Sequence, residues 1–123
     1  MGLQSVAPIL LVRDIVAAAA YWSRLGFESK LFHEPPTFAI LSRDEVKLML
    51  AKVPFGASFT TNYHVVGATS DAYIWVSDVD ALYAEFQAAG ATIDFTLYNT
   101  PWGTREFGIQ DLDDHDITFG QVL

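Results

Sequence analysis

Apolar positions follow two periods along this chain, and the two periods recur in the same order. In "LLVRDIVAAAAYWSRLGF" (10–27) a short apolar run gives way to helical spacing, with Ile15, Ala18, Trp22 and Leu25 on one face. In "YIWVSDVDALYAEFQAAGA" (73–91) the same happens, with Val79, Leu82, Phe86 and Ala89. Asp14 and Asp78 stand where a side chain accepts from the free amides of a first helical turn. Gly26 and Gly90 supply the left-handed stop. The two stretches superimpose without a gap at an offset of 64 residues, so Val12 falls on Val76, Asp14 on Asp78 and Gly26 on Gly90.

Period-two segments follow each helix. "FAILSRDEVKLMLAKV" (38–53) and "FGIQDLDDHDITFGQV" (107–122) align at an offset of 69, pairing Phe38 with Phe107, Asp44 with Asp113 and Leu48 with Ile117. Each reads as a strand, a polar turn and a second strand. "FESKLFHE" (27–34) and "ATIDFTLYN" (91–99) add one more strand apiece. The predicted fold class is α+β: two tandem βαβββ units within a single domain, about 4–53 and 71–123, forming a curved mixed sheet around a groove. The linker 54–70 is long for a compact domain, so it is either functional or mobile. One helix covers one face of each sheet; the other face is where a ligand would go.

Composition narrows the chemistry. Hydrophobic residues are 51% and charged residues 18% of the 123, the profile of a globular domain with a real core. The longest apolar run is broken by Pro8 and Arg13, and no basic stretch precedes an apolar one, so a soluble cytoplasmic protein is expected. The absence of Cys removes disulfides, thiolate ligands and thiol nucleophiles together. Residues 1–62 hold six Lys/Arg against five Asp/Glu, but residues 63–123 hold only Arg105 against ten acids. That half repels nucleic acid and attracts cations, or simply keeps the domain soluble.

With both repeats in place, the chain resembles the vicinal oxygen chelate superfamily of glyoxalase I, extradiol dioxygenases and bleomycin resistance proteins. The likeness rests on "VRDIVAAAAYWSRLGFE", "WVSDVDALYAEFQAAGA" and the closing "WGTREFGIQDLDDHDITFGQ". In that family, metal ligands sit at pseudo-symmetric positions on the first and last strands, which here carry Ala7, Met49, Asp71 and Thr118. Three converging N/O ligands are needed, and only Asp71 is a good one, so no metal or other cofactor is expected. His33, His64 and His115 lack the spacing that would put two on one element. His115 is expected to be solvated in the last turn. Glu106 either pairs with Arg105 or serves the groove, with Asp71 as a second carboxylate for acid–base work.

Strand alternation places Asp71, Tyr73, Trp75, Met49, Glu106 and Gln110 toward the groove, together with Asp116, Thr118 and Gly108. Tyr98 and Trp102 join from the hinge ahead of the closing hairpin, and Phe32 and His33 from the matching region of the first unit. Aromatic walls with carboxylates suit a planar, cationic compound. The resemblance is strongest to the bleomycin resistance branch, which implies sequestration of an antibiotic or metabolite without catalysis, with Trp102 and Phe32 holding the planar part. It also implies a homodimer with its groove at the interface and an exchanged N-terminal strand near Ala7-Pro8. The alternative is a lyase, isomerase or dioxygenase of the same superfamily with an atypical metal site.

Overall fold

A computed structural model describes residues 1–123. The chain divides into two compact units, Met1–Ser58 and Phe59–Leu123. The first runs β1 (Ile9–Val12), α1 (Ile15–Arg24), β2 (Glu28–Phe32), β3 (Phe38–Arg43) and β4 (Val46–Lys52). The second opens with a short helix, α2 (Asn62–Val65), and continues with β5 (Ala72–Trp75), α3 (Val79–Ala88), β6 (Thr92–Asn99), β7 (Thr104–Gln110) and β8 (Asp116–Val122). Each sheet has four strands, ordered β1-β4-β3-β2 and β5-β8-β7-β6. The first and last strands of each unit are parallel and the others antiparallel. These are two βαβββ units in tandem.

The helices repeat at the 64-residue offset at both ends. Asp14 accepts from the Ala17 amide at 3.0 Å and Asp78 from the Ala81 amide at 3.1 Å. Gly26 and Gly90 end them with φ of 85° and 82°. Trp22 and Phe86, equivalent in sequence, are each fully buried against their own sheet. In the second unit Phe86 meets Phe107 and Phe119 at centroid distances of 5.9 and 5.1 Å, and the last two stack at 5.3 Å.

The sheet registers carry both offsets. Ile9 pairs with Met49 as Tyr73 pairs with Thr118, and Leu11 with Ala51 as Trp75 with Gly120. β7 departs from the 69-residue alignment by one position. Ala39 pairs with Leu50 as Phe107 pairs with Phe119, so the partner of Phe107 in the first unit is Ala39, not Phe38. The extra residue sits in the turn: four residues separate the paired Ser42 and Lys47, and five separate the equivalent pair Gln110 and Asp116. Phe38 is instead the counterpart of Glu106.

Three other expectations change. β1 begins at Ile9, so Ala7 lies ahead of the strand. The distal part of the 54–70 linker folds as α2 and belongs to the second unit. His115 is not solvated. It is 4% exposed, because the Asp111 carboxylate organises the five-residue turn around it. Asp111 Oδ1 accepts from the Asp113 and His115 amides at 2.9 and 2.8 Å, and Oδ2 pairs with His115 Nδ1 at 2.8 Å. Burial works against a charged imidazole there, but the bond to Asp111 and the charges of Asp111, Asp71 and Asp113 together outweigh it, and the His115 pKa is raised.

Candidate functional site

The uncovered face of the second sheet is built in cross-strand rows. Tyr73, Thr118, Gly108 and Phe95 form one, and Trp75, Gly120, Glu106 and Tyr98 the next. Two of these positions are glycines, and each lies under an aromatic ring. A Cβ on Gly120 would stand 1.8 Å from the Tyr73 hydroxyl, and one on Gly108 would stand 2.2 Å from the Phe95 ring. The first unit has Ala51 and Ile40 at the equivalent positions. Its open face carries Ile9, Phe38, Ile40 and Met49, with side chains where the second unit has glycines.

The second unit holds a cleft of about 660 Å³. Tyr73, Tyr98, Trp102 and Glu106, all expected from the sequence, line it. Glu106 is only 5% exposed. Its carboxylate accepts from the Tyr73 hydroxyl at 2.6 Å, from Thr104 Oγ1 at 3.2 Å and from the Tyr98 hydroxyl at 3.5 Å. Burial, then the bond to Glu106, pushes the Tyr73 pKa up to about 12, and the same two causes raise that of Tyr98. Both phenols therefore stay protonated donors at neutral pH. Arg105 does not pair with Glu106: its guanidinium holds Asp80 at 3.0 Å and Asn99 at 3.0 Å. The carboxylate has hydroxyl donors and no cation. Trp102, 68% exposed in the Thr100–Thr104 turn, is free to lie against a ligand.

Sequence reasoning missed the opposite end of the cleft. Tyr63, Ser70, Asp94 and Phe95 line it, together with Thr118, which alternation does place toward the groove. Tyr63 and Ser70 come from the former linker. α2 is fixed to the unit by Asp71, whose two carboxylate oxygens accept from the Asn62 amide at 2.8 Å and the Asp116 amide at 2.9 Å. Asp94 and Phe95 come from β6, whose pairing with β7 shifts between Ile93 and Phe95 and again between Phe95 and Tyr98. A bulge of that kind adds a residue and re-aims side chains. No period-two reading could have found it.

The remaining expected residues lie elsewhere. Asp71 serves backbone amides, each of its oxygens accepting one, which fixes the carboxylate between α2 and β8. Trp75 is 62% exposed and packs on Tyr73 at 4.7 Å. Gln110 is half-buried beside Asp116 in the next row. Phe32, His33 and Met49 belong to the first unit and do not line this cleft. Phe32 lies 6.0 Å from Phe38 with the Lys30 ammonium 5.4 Å from its ring, and His33 Nδ1 bonds Thr37 Oγ1 at 2.5 Å.

The family's metal positions do not fit a metal. Ala7 has no donor, Asp71 is committed as described, and Thr118 Oγ1 is hydrogen-bonded to Ser70 Oγ. No three His, Asp or Glu residues stand elsewhere in a metal-holding group.

Among solved structures, a bleomycin-binding protein from bleomycin-producing Streptomyces verticillus, complexed with copper(II)-bleomycin, is 26% identical. It has a TM-score of 0.73, with 97% of this chain and 96% of that one covered. TioX from Micromonospora sp. ML1 is 29% identical with a TM-score of 0.72, covering 98% and 100%. A bleomycin-binding protein complexed with bleomycin shares 20% identity at a TM-score of 0.77, covering 98% and 100%. No curated protein matches by sequence. Residues 2–119 match the profile of the Glyoxalase/Bleomycin resistance protein/Dioxygenase superfamily, and the chain belongs to that superfamily.

Proposed function

We propose that this protein binds and sequesters a planar aromatic, cationic small molecule in the cleft of its second unit, without altering it. The observation that carries this reading is Glu106: a buried carboxylate, held by hydroxyls and unmatched by any cation, beneath Tyr73, Tyr98 and Trp102. A buried charge is costly unless paired, so a cationic ligand gains the attraction that the fold leaves unused. Flat rings then add stacking of about 0.5–1.5 kcal/mol each. The likeness to bleomycin-binding proteins supports an antibiotic of that kind as ligand. Action as a cytoplasmic homodimer belongs to the same proposal. Leu3 and Val6, fully or largely exposed ahead of β1, are the apolar residues an exchanged N-terminal segment would bury.

Thermal unfolding with metal-free bleomycin tests the reading. A ligand at 100 times its Kd adds about 2.7 kcal/mol, which raises the Tm by several degrees. Trp102→Ala is expected to keep the unliganded Tm, since the ring is exposed, and to lose most of the shift. A full shift in that variant would move the site away from this cleft. Should bleomycin and a panel of cationic aromatic compounds all leave the Tm unchanged, sequestration itself fails.

A further inference from the structure

The two carboxylate oxygens of Glu106 are not equivalent. Oε2 accepts from the Tyr73 hydroxyl at 2.6 Å and from Thr104 Oγ1 at 3.2 Å. Thr104 uses its single hydroxyl proton in that bond, so Thr100 is the donor in the 2.8 Å contact between Thr100 Oγ1 and Thr104 Oγ1. The Thr104 amide in turn donates to Thr100 Oγ1 at 3.2 Å. This relay is buried, with Thr100 and Thr104 only 7% and 5% exposed, and it directs its protons toward Oε2. A carboxylate oxygen has two acceptor positions, and both of those on Oε2 are filled. Oε1 receives only the Tyr98 hydroxyl at 3.5 Å, beyond the usual O–H···O range. No Lys, Arg or His lines the cleft to complete it.

We propose that Glu106 Oε1 is the acceptor for a ligand N–H, so that the cleft selects cations with a protonated nitrogen (an amine, an amidine or a ring N–H) over quaternary or fully alkylated ones. This rests on the sequestration reading above and narrows its ligand. Aromatic faces attract positive charge whether or not it carries an N–H, and Tyr73, Tyr98 and Trp102 serve either kind of cation. A carboxylate oxygen with an open position is directional. A charge-assisted N–H···O bond to it is short and roughly twice as strong as a neutral one. The discrimination therefore lies in Oε1. A bound cation without an N–H shuts water out and leaves a buried acceptor short of a partner.

The relay also decides what an amide does in the same place. Tyr73 and Thr104 both donate at the Oε2 position. In Glu106→Gln the amide oxygen takes that position, and the NH2 group faces the ligand. An acceptor becomes a donor at nearly constant shape.

The probes are 3,6-bis(dimethylamino)acridine, whose one N–H at pH 7 is on the protonated ring nitrogen, and its 10-methyl derivative. Charge and rings are the same, and N–CH3 replaces N–H. Fluorescence titration at pH 7 gives both affinities. The N–H cation is expected to bind at least about tenfold more tightly, and Glu106→Gln to cut that preference below about threefold. A preference that is the same in the variant comes from crowding of the methyl group and overturns the assignment. Tyr98→Phe removes the competing hydroxyl from an exposed side chain, so there the preference stays at about tenfold or rises. Its loss in that variant would place the acceptor on the Tyr98 oxygen instead. Equal affinities of the unaltered protein for the two probes overturn the N–H contact while leaving sequestration of a cationic aromatic compound standing. If neither probe binds, both readings fall.

Discussion

Gly120 and Gly108 decide whether the second sheet has a cleft at all. Each is the residue whose missing Cβ lets a ring lie flat on the strand. A methyl group at Gly120 meets the Tyr73 hydroxyl, so the ring must swing away and give up its bond to Glu106. Gly120→Ala is therefore expected to cost about 1–3 kcal/mol by overpacking and to weaken ligand binding more than tenfold. Denaturant unfolding and titration with metal-free bleomycin check the two effects. A variant that binds like the parent would show that Tyr73 is not part of the site. Residues of this kind are poorly legible in a sequence. Glu106 and Tyr73 could be assigned to the open face from alternation along their own strands, whereas Tyr98 was reached only from the hinge ahead of the closing hairpin. Asp71 looked like a ligand because its carboxylate was visible, while the two amides that occupy it come from distant positions.

At the scale of elements, the helices and parallel strands were the readable part. Asp14 and Asp78 cap as their spacing implies; α1 buries its apolar stripe, and α3 buries Val79 and Phe86 of its own with Leu82 and Ala89 half-buried. The closing hairpin was read correctly as two strands and a turn, but its alignment slipped by the one residue that the turn absorbs. What stabilises that turn is Asp111. Its side chain takes three hydrogen bonds at 8% exposure, so Asp111→Ala should cost about 3 kcal/mol. The loss has a pH signature. His115 has a raised pKa in the folded state, so its pairing stabilises fully below the ordinary histidine value and fades as pH rises through the raised one. The deficit of Asp111→Ala is expected to be larger at pH 5.5 than at pH 9, measured by urea unfolding. A deficit independent of pH would mean that the amide bonds carry the turn and the imidazole contributes nothing. The β6 bulge and α2 are the elements that escaped the sequence. Neither has a hydrophobic period of its own, and both are positioned by partners elsewhere in the unit.

For the molecule as a whole, a duplicated βαβββ plan carries two different open sheet faces. One has Ile40 and Ala51 where the other has Gly108 and Gly120. Charge divides the same way, with ten acids and one Arg from residue 63 onward. That imbalance has a kinetic consequence. A cation approaching the second unit is drawn in by a field that reaches about 8 Å at physiological ionic strength, whereas its residence is set by short-range contacts with rings and buried carboxylates. Raising salt from 20 to 500 mM is expected to slow the association of a cationic aromatic ligand severalfold or more and to change its dissociation far less, as stopped-flow fluorescence would show. If the dissociation rate carries most of the salt effect, steering by the acidic half is wrong. A sequestering protein limits free ligand by how fast it captures as well as how tightly it holds. The unmatched acids of the second unit act on the first of these.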